Sequence, residues 1–366
     1  MSRAISLPKV DRRDPTPKYL QAREILIDAI RTGRLAPGTK LPSTKEISAL
    51  FDISLITAHK ALEGLVESGW LRREVGRGTY VRDDIDPAHA AQQLHVALVL
   101  EQSVNLDDYY HSTLLNGLRR EAQNDTHRVE FFFHDRFDLR DKGNRHVGAL
   151  CIHPALEDRA AVEQLAARHP VVVLGGTLPD SDIPAVDCDN EGGARAAVRH
   201  LIDLGHRRFL VLSGPMNLTN ARDRAIGAAA ELTAHGIPLA DRDRPVSRDS
   251  VVLDEDTRAF LHRRFREPAR PTAIIAGGFY LALAAIQIIR QAGLSIPRDV
   301  SIIGFDDPPS APLLDPPLTA VRQPLTAMAA EAYRRIRDAI LGQTPGEPLV
   351  HLATELVIRG STGRAP

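Results

Sequence analysis

The stretch STKEISALFDISLITAHK, from Ser43 to Lys60, decides the fold of the first part of the chain. Its first residue is followed three positions later by Glu46, which predicts a capping box at the start of a helix. Asp52 interrupts that helix, and Ser54 offers the N-cap of a second helix that continues to about Glu67. Two helices separated by such a short turn predict a helix-turn-helix.

The flanking sequence predicts one more helix and a β-hairpin. Apolar residues recur at helical spacing from about Lys18 to Thr32, and a glycine follows the run. After Gly69, two short strand patterns, Trp70–Glu74 and Thr79–Arg82, are joined by a loop that contains two glycines and an arginine. A hairpin with a basic tip is typical of a wing, so residues 17–82 are predicted to form a winged helix-turn-helix.

The start of the second helix of a helix-turn-helix reaches base edges in a DNA major groove. Helix N-termini and glycine-rich basic tips can hold phosphates. The first 82 residues carry 15 basic and nine acidic side chains, whereas the remainder has an acidic excess, which favours a polyanionic partner. The pattern alone leaves open a helical module that binds a protein. The side chains predicted to contact DNA are Ser43, Thr44, Lys45, Ser54, Leu55, Ile56, Thr57, His59, Lys60, Arg77 and Gly78.

Three segments of this block resemble the GntR family of winged-helix regulators. They are IRTGRLAPGTKLPS from Ile30, the AL-x-x-L-x-x-x-G-W-L run from Ala61, and GRGTYV from Gly76. The resemblance implies DNA contacts at Lys45, Ser54, Thr57, His59 and Gly78. The family usually has arginine where this chain has Leu55, and often where it has His59. An apolar Leu55 favours contact with a thymine methyl group, so the family's operator sequence does not carry over.

From His95 onward the sequence changes to short apolar strands alternating with amphipathic helices. Continuous apolar runs are typical of parallel sheets covered on both faces, and their alternation with helices predicts a doubly wound α/β architecture with two sheets. The predicted strands are His95–Leu100, Val129–His134, Gly148–His153, Val171–Gly175, Arg208–Ser213, Thr272–Ala276 and Val300–Phe305. The predicted helices are Tyr109–Asn124, Asp158–Arg168, Gly193–Leu204, Arg222–His235, Asp254–Phe265 and Leu281–Ala292.

Three features of this half predict ligand chemistry. Tyr109 and Tyr110 open the helix after the first strand, where ligands of open α/β sheets bind, although a core aromatic pair is the alternative. Arg222 and Arg224 stand at a predicted helix start, where an arginine can grip hydroxyls or a carboxylate or remain solvated. Asp306 follows a buried strand and could accept hydroxyl hydrogen bonds or cap the next turn.

The second half, from about His95 to Gly363, resembles the sensor domain of LacI-family repressors, which share the fold of periplasmic sugar-binding proteins. The strongest stretches are VDCDNEGGARAAVRHLIDLGHRRFLVLSGP from Val186, GLSIPRDVSIIGFDD from Gly293, PPLTAVRQPL from Pro316 and ELVIRGST from Glu355. A GntR-like domain on such a sensor is the layout of the arabinose-repressor subgroup. The resemblance implies effector contacts at Tyr109, Tyr110, Arg222, Asp306 and Leu325.

The resemblance also predicts the lobes of the sensor, and this chain departs from the family at one place in the predicted site. Family members usually carry Asn-Asp before the helix that begins near Leu281, and the aligned pair here is taken as Gly278-Phe279. Phe279 therefore joins the predicted effector site and favours a larger, less polar or modified ligand over a simple free sugar. One lobe is expected over about 95–187 and 319–341, and the other over about 188–318 and 350–363. The apolar faces of Tyr109–Asn124 and Leu325–Leu341 are candidate surfaces of a homodimer.

Composition and motifs exclude several other classes. Hydrophobic residues make up 43% and charged residues 25%, which is globular composition. Two cysteines are too few for a disulfide framework, no apolar run is long enough to span a bilayer, and no export signal precedes residue 17, so a cytoplasmic protein is expected. Residues 1–16 are expected to be flexible and 83–94 to form a linker.

Neither the histidines nor the glycines form a catalytic, metal or cofactor motif, so no enzyme, metal or cofactor is predicted. The sequence therefore predicts a DNA-binding transcription regulator, most often a repressor in this family. It is expected to bind a double-stranded operator as a homodimer and to respond to a sugar-like effector. Two alternatives stay open: a solute-binding protein whose N-terminal module binds another partner, and a sugar- or nucleotide-processing enzyme on the same fold.

Overall fold

The computed structural model describes residues 7–11, 16–67, 69–74, 76–85, 93–100, 106–125, 127–134, 147–343 and 346–366. The chain divides into two compact units. The first comprises Met1–Val96, Arg119–Phe132 and Asn144–Val147, and the second comprises Ala97–Leu118, Phe133–Gly143 and Gly148–Pro366. Residues 1–6 and 12–15 of the predicted flexible N-terminus, and residues 86–92 of the predicted linker, lie outside the described residues.

The first unit contains the predicted winged helix-turn-helix. Its helices are α1 (Lys18–Arg31), α2 (Thr44–Phe51) and α3 (Leu55–Glu67). The predicted capping box is present: the Ser43 hydroxyl accepts from the Glu46 N–H, and the Glu46 carboxylate accepts from the Ser43 N–H at 2.7 Å. Asp52 adopts the left-handed conformation that ends α2. Ser54 then caps α3 by accepting from the Thr57 N–H at 3.1 Å.

The wing is an antiparallel pair of strands, β1 (Leu71–Glu74) and β2 (Gly78–Val81). Trp70 and the apolar faces of the three helices close a core of their own. Val10 and Ile85 are only 8% and 7% exposed and belong to this core, so the block extends beyond the predicted residues 17–82 at both ends. The segment around Val10 therefore packs on this core, and the expected flexibility of residues 1–16 stays a prediction.

Two sheets with mostly parallel strands follow, as predicted. A six-stranded sheet has the order β12-β7-β6-β5-β3-β4, and a five-stranded sheet has the order β13-β11-β10-β9-β8. The strands of the first sheet are β3 (Gln93–Val99), β4 (Arg128–His134), β5 (Val147–Ile152), β6 (Val171–Leu174), β7 (Ala185–Cys188) and β12 (Leu349–Leu352). The strands of the second sheet are β8 (Phe209–Leu212), β9 (Ala273–Ala276), β10 (Ser301–Phe305), β11 (Thr319–Arg322) and β13 (Glu355–Val357).

Apolar helices cover these sheets. Buried side chains of α6 and α7 pack on one face of the five-stranded sheet, and those of α8 and α9 pack on the other. The helices are α4 (Tyr109–Asn124), α5 (Arg159–Ala166), α6 (Asn190–Asp203), α7 (Thr219–Ala234), α8 (Glu255–Arg264), α9 (Phe279–Gln291) and α10 (Leu325–Ile340). None of the helices in the described part of the chain combines the length and apolar character that crossing a membrane requires.

The chain passes from one sheet to the other at three places. The crossings lie between Cys188 and Asn190, between Arg322 and Leu325, and between Leu352 and Glu355. The predicted lobe boundaries at the C-terminal end are thus wrong. Thr319–Arg322 pairs with β10 of the second sheet, and Leu349–Leu352 pairs with β7 of the first. The sequence prediction depended on long apolar runs. These two strands have only four residues each and carry charged or polar side chains, so they contain no such run.

Candidate functional site

A cavity of about 420 Å³ lies in the second unit, at the carboxyl ends of the parallel strands. Ligands of open α/β sheets bind at such ends. Five residues that line or abut it directly follow a strand: His153, Gly175, Gly277, Asp306 and Gln323. The strands of both sheets thus contribute to one cavity.

One wall of the cavity is a hydrogen-bonded cluster around His153. The Tyr110 hydroxyl lies 2.9 Å from His153 Nε2, and the two rings are stacked with centroids 4.6 Å apart. The Asn220 amide lies 3.1 Å from the same Nε2 and also donates to the Gly175 carbonyl. Burial lowers the pKa of His153 far below its usual value, which favours the neutral ring. The predicted cavity residue Tyr110 therefore has a fixed position.

Gly175 makes this cluster possible. Its φ is +78°, and a Cβ there would lie 2.3 Å from the Tyr110 hydroxyl oxygen and 2.5 Å from His153 Nε2. Backbone in this region costs an L-residue roughly 1–2 kcal/mol, and the overlap adds to that cost. No larger side chain fits between the two rings and the end of β6.

We expect Gly175→Ala to lower the free energy of unfolding by about 2–4 kcal/mol, the sum of backbone strain and overpacking. Gly293→Ala is the matched control, since Gly293 has φ +77° with open space around its Cβ position. Urea denaturation of both variants measures the difference. If the free energy of unfolding falls equally in the two variants, the Tyr110 and His153 side chains move aside at no cost in stability.

Arg224 supplies the positive charge of the cavity. Its side chain is 8% exposed, donates from Nε to Asn190 Oδ1 at 2.8 Å and from Nη1 to the Gly277 carbonyl at 2.7 Å, and lies over the Phe305 ring at 4.4 Å. The prediction of Arg222 is corrected here, because Arg222 is exposed and does not line the cavity. Helix α7 begins at Thr219, and residues two apart on a helix point about 200° apart.

Asp306 and Asp307 have different surroundings. Asp306 lines the cavity and accepts from Gln323 Nε2 at 2.5 Å. Burial raises the pKa of Asp306, and the nearby Arg224 charge lowers it only in part. Asp307 is instead paired with Arg322 and Arg359, whose hydrogen bonds and charges hold its pKa below the usual value. The structure therefore places the predicted Asp306 in the cavity and gives its neighbour a structural ion-pair role.

The N-terminus of α4 adds a second imidazole. Asp108 caps the helix by accepting from the His111 N–H, and its other oxygen lies 2.8 Å from His111 Nδ1. The buried Nε2 of the same ring has no hydrogen-bond partner among the described residues. Tyr109, half-buried, lines the cavity beside it. A hydroxyl of a bound ligand, which can donate or accept, would satisfy His111 Nε2.

The far side of the cavity is less polar. Phe279 lines it as predicted, but as the first residue of α9. Of the predicted loop pair Gly278-Phe279, only Gly278 precedes the helix, as its N-cap. Tyr280, Val251 and Val252 extend this apolar lining. The predicted contact residue Leu325 is buried outside the lining, and Gln323, two residues earlier, lies there instead.

The predicted DNA-contacting residues share one small region of the first unit. Leu55 and Ile56 are 55% and 81% exposed at the start of α3, although both are large and apolar. His59 Nε2 lies 3.3 Å from Glu63, and Lys60 Nζ lies 4.0 Å from the centre of the Tyr19 ring. The exposed members are Ser43, Lys45, Ser54, Leu55, Ile56, His59, Lys60 and Arg77, and the partly buried ones are Thr44, Thr57 and Gly78.

The wing presents its own basic and apolar surface. Arg77, at the tip, is 79% exposed, and its N–H donates to the Glu74 carbonyl. Gly78 has φ +128°, and a Cβ there would meet Lys40 Cε at 2.8 Å. A glycine is thus needed for the wing to turn while Lys40 stays beside it.

Comparison with known proteins assigns both parts of the chain. Residues 18–81 match the profile of bacterial regulatory proteins of the gntR family, and residues 198–362 match that of the periplasmic binding protein-like domain. The HTH-type transcriptional regulator AglR of Rhizobium meliloti (strain 1021) is 33% identical over 353 residues, which cover 88% of this chain and 94% of that protein. The arabinose metabolism transcriptional repressor of Geobacillus stearothermophilus is 28% identical, over 94% of this chain and 98% of that one.

A solved structure supports the same fold. The crystal structure of a regulatory protein of the LacI family from Chloroflexus aggregans has a TM-score of 0.65 and 28% identity, and it covers 74% of this chain and 98% of that one. The chain therefore belongs to the family of transcriptional regulators that join a gntR-type winged helix to a LacI-type sensor. It is a DNA-binding regulator of transcription, as the sequence predicts, and the Rhizobium and Geobacillus relatives are transcriptional regulators as well.

Proposed function

We propose that this regulator binds an uncharged, polyhydroxylated ligand, a sugar or sugar derivative, in the cavity between the two sheets. The observation that carries the proposal is the set of polar groups there. A buried guanidinium on Arg224, a partly buried carboxylate on Asp306 and an unpartnered imidazole nitrogen on His111 face one cavity that is also lined by aromatic rings. Ligand pockets combine such aromatic walls with a few fixed polar groups.

The charges favour a neutral ligand. Among the lining residues, Arg224 and Arg248 are outnumbered by Asp108, Asp249 and Asp306. An excess of carboxylates over guanidiniums repels a phosphate or a carboxylate ligand. The Phe279–Tyr280 pair and the valines of residues 251–252 offer apolar surface to a second ring or an aglycone. The name of the Geobacillus relative, an arabinose metabolism repressor, supports a carbohydrate ligand.

The DNA partner is a double-stranded operator. In this proposal α3 enters the major groove with Leu55, Ile56 and Thr57 at the base edges. Lys45 at the start of α2 and Arg77 on the wing contact phosphates. The regulator acts as a homodimer on a pseudo-palindromic site. It acts as a repressor, and it works in the cytoplasm, where the DNA is. The ligand shifts DNA affinity through its differential affinity for the sensor's two states.

A gel-shift titration tests this proposal with a duplex from the region upstream of the protein's own gene. We expect a sequence-preferring complex whose affinity falls steeply with salt, because phosphate contacts release counterions. A panel of L-arabinose, D-glucose, maltose and cellobiose, with glucose 6-phosphate as the charged control, is then screened for a rise in thermal stability. Sequence-independent binding would contradict the DNA part. Binding of the phosphate alone would contradict the ligand part.

A further inference from the structure

Helix α4 has a ligand residue at one end and a second set of contacts at the other. Tyr109 and Tyr110, its first two residues, line the cavity. Its last residue, Asn124, belongs to the segment Arg119–Phe132, which lies in the same compact unit as the winged helix. A helix of this length is a stiff element, so displacement of one end is carried to the other.

Two arginines of α1 hold the C-terminal end of α4. Arg23 Nη2 donates to the Gln123 carbonyl at 2.9 Å and to the Asn124 side-chain oxygen at 2.6 Å. Arg31 Nη2 donates to the carbonyls of Asp125 and His127 at 3.2 and 2.5 Å. The last carbonyls of a helix lack intrahelical partners and carry the negative end of its dipole, so guanidinium donors suit this position.

The carbonyls that receive Arg31 belong to two residues that are bonded to each other. Asp125 and His127 are 6% and 8% exposed, and one Asp125 oxygen accepts from the His127 N–H and lies 2.8 Å from its Nδ1. These bonds restrict the movement of the two carbonyls. A rigid acceptor makes each arginine contact sensitive to movement of α4.

Inside the winged helix, the same arginines lie beside α3 and beside the residue that precedes the wing. Arg23 Nη1 lies 3.9 Å from the place that a Cβ on Gly64 of α3 would take. The Arg31 guanidinium lies 5.3 Å from the centre of the Trp70 ring, which is fully buried directly before the wing strand β1. One arginine thus reaches the proposed recognition helix and the other reaches the root of the wing.

We propose that Arg23 and Arg31 dock the winged helix on the C-terminal turn of α4, and that α4 is the element that couples the cavity to the DNA-binding face. This rests on the proposed function for the two sites that it joins. Both arginines are positioning residues and are assigned no contact with the ligand or with DNA.

Urea denaturation tests the docking without any ligand. The protein has a single tryptophan, so Trp70 fluorescence reports the winged helix while far-UV circular dichroism is dominated by the larger sensor. We expect Arg23→Ala and, on the sensor side, Asn124→Ala to lower the midpoint of the Trp70 transition by about 1 M, as the loss of charge-assisted hydrogen bonds predicts. The urea midpoint of the main circular dichroism transition should not change. Arg34→Ala, an exposed arginine just after α1 that pairs with Asp28, is the matched control and should change neither.

An unchanged Trp70 midpoint in Asn124→Ala would overturn the docking. The coupling is tested with whichever panel sugar raises the stability of the wild type. Asn124→Ala should bind that sugar as the wild type does, while the effect of the sugar on the DNA dissociation constant falls to less than two-fold. A retained effect overturns the coupling role of α4. If no panel sugar binds, the proposed ligand class fails, but the denaturation result still decides the docking.

Discussion

Replacing Arg224 with alanine is expected to weaken ligand binding by about 30- to 1000-fold, which corresponds to roughly 2–4 kcal/mol. Arg224 is buried in the cavity, and Asn190 and the Gly277 carbonyl fix two of its nitrogens. The remaining donors of the guanidinium are then aimed for a ligand at little cost in side-chain entropy. Isothermal titration with the sugar that raises thermal stability measures the loss.

Arg222→Ala is the matched control for this prediction. Arg222 stands two residues earlier on the same helix and is exposed, so its removal should leave the dissociation constant within about two-fold of the wild type. The reverse result, a large loss for Arg222 and none for Arg224, would move the ligand out of the described cavity. Arg224→Lys keeps the charge but not the planar fork, so it separates charge from hydrogen-bond geometry.

Ile56→Glu is expected to lower operator affinity by about 100-fold or more, since a carboxylate at a phosphate-lined groove costs several kcal/mol. Ile56 is 81% exposed at the second position of α3. Folding should not suffer, because an acidic side chain in the first turn interacts favourably with the helix dipole. The gel-shift midpoint in the upstream duplex measures the change, and the thermal midpoint checks the fold.

Leu313→Glu provides the matched control, because Leu313 is 82% exposed and lies in a short helical turn of the sensor. Both variants add one negative charge in place of an exposed apolar side chain. Equal effects on DNA affinity would assign the loss to net charge and not to the position of Ile56. Wild-type affinity in Ile56→Glu would remove α3 from the proposed groove.

Much of the fold follows from local rules that act over a few residues. The capping box at Ser43 and the N-cap at Ser54 are set by side chains that bond to nearby backbone, so the sequence predicts α2 and α3 to within a residue or two. Long apolar runs predict the central strands equally well. The four-residue strand Thr319–Arg322 was missed because pairing with distant strands, and not its own composition, makes it a strand.

The cavity was harder to predict because side-chain direction depends on where each helix begins. The resemblance implies Arg222 as the effector contact, whereas in the structure the helix begins at Thr219 and Arg224, two residues further on, lines the cavity. His153 and Gln323 were missed as well. Both directly follow the carboxyl end of a parallel strand, so scanning those positions for polar residues would have found them.

The interleaved path of the C-terminal strands has a consequence for synthesis of the protein. Leu349–Leu352 completes one sheet and Glu355–Val357 the other, so the first sheet is whole only after Leu352 has left the ribosome and the second only after Val357. Among the described residues, the buried apolar side chains of the winged-helix core lie between Val10 and Ile85. Domains generally fold in order of emergence. A nascent or prematurely terminated chain can therefore contain a folded DNA-binding domain without a folded sensor to regulate it.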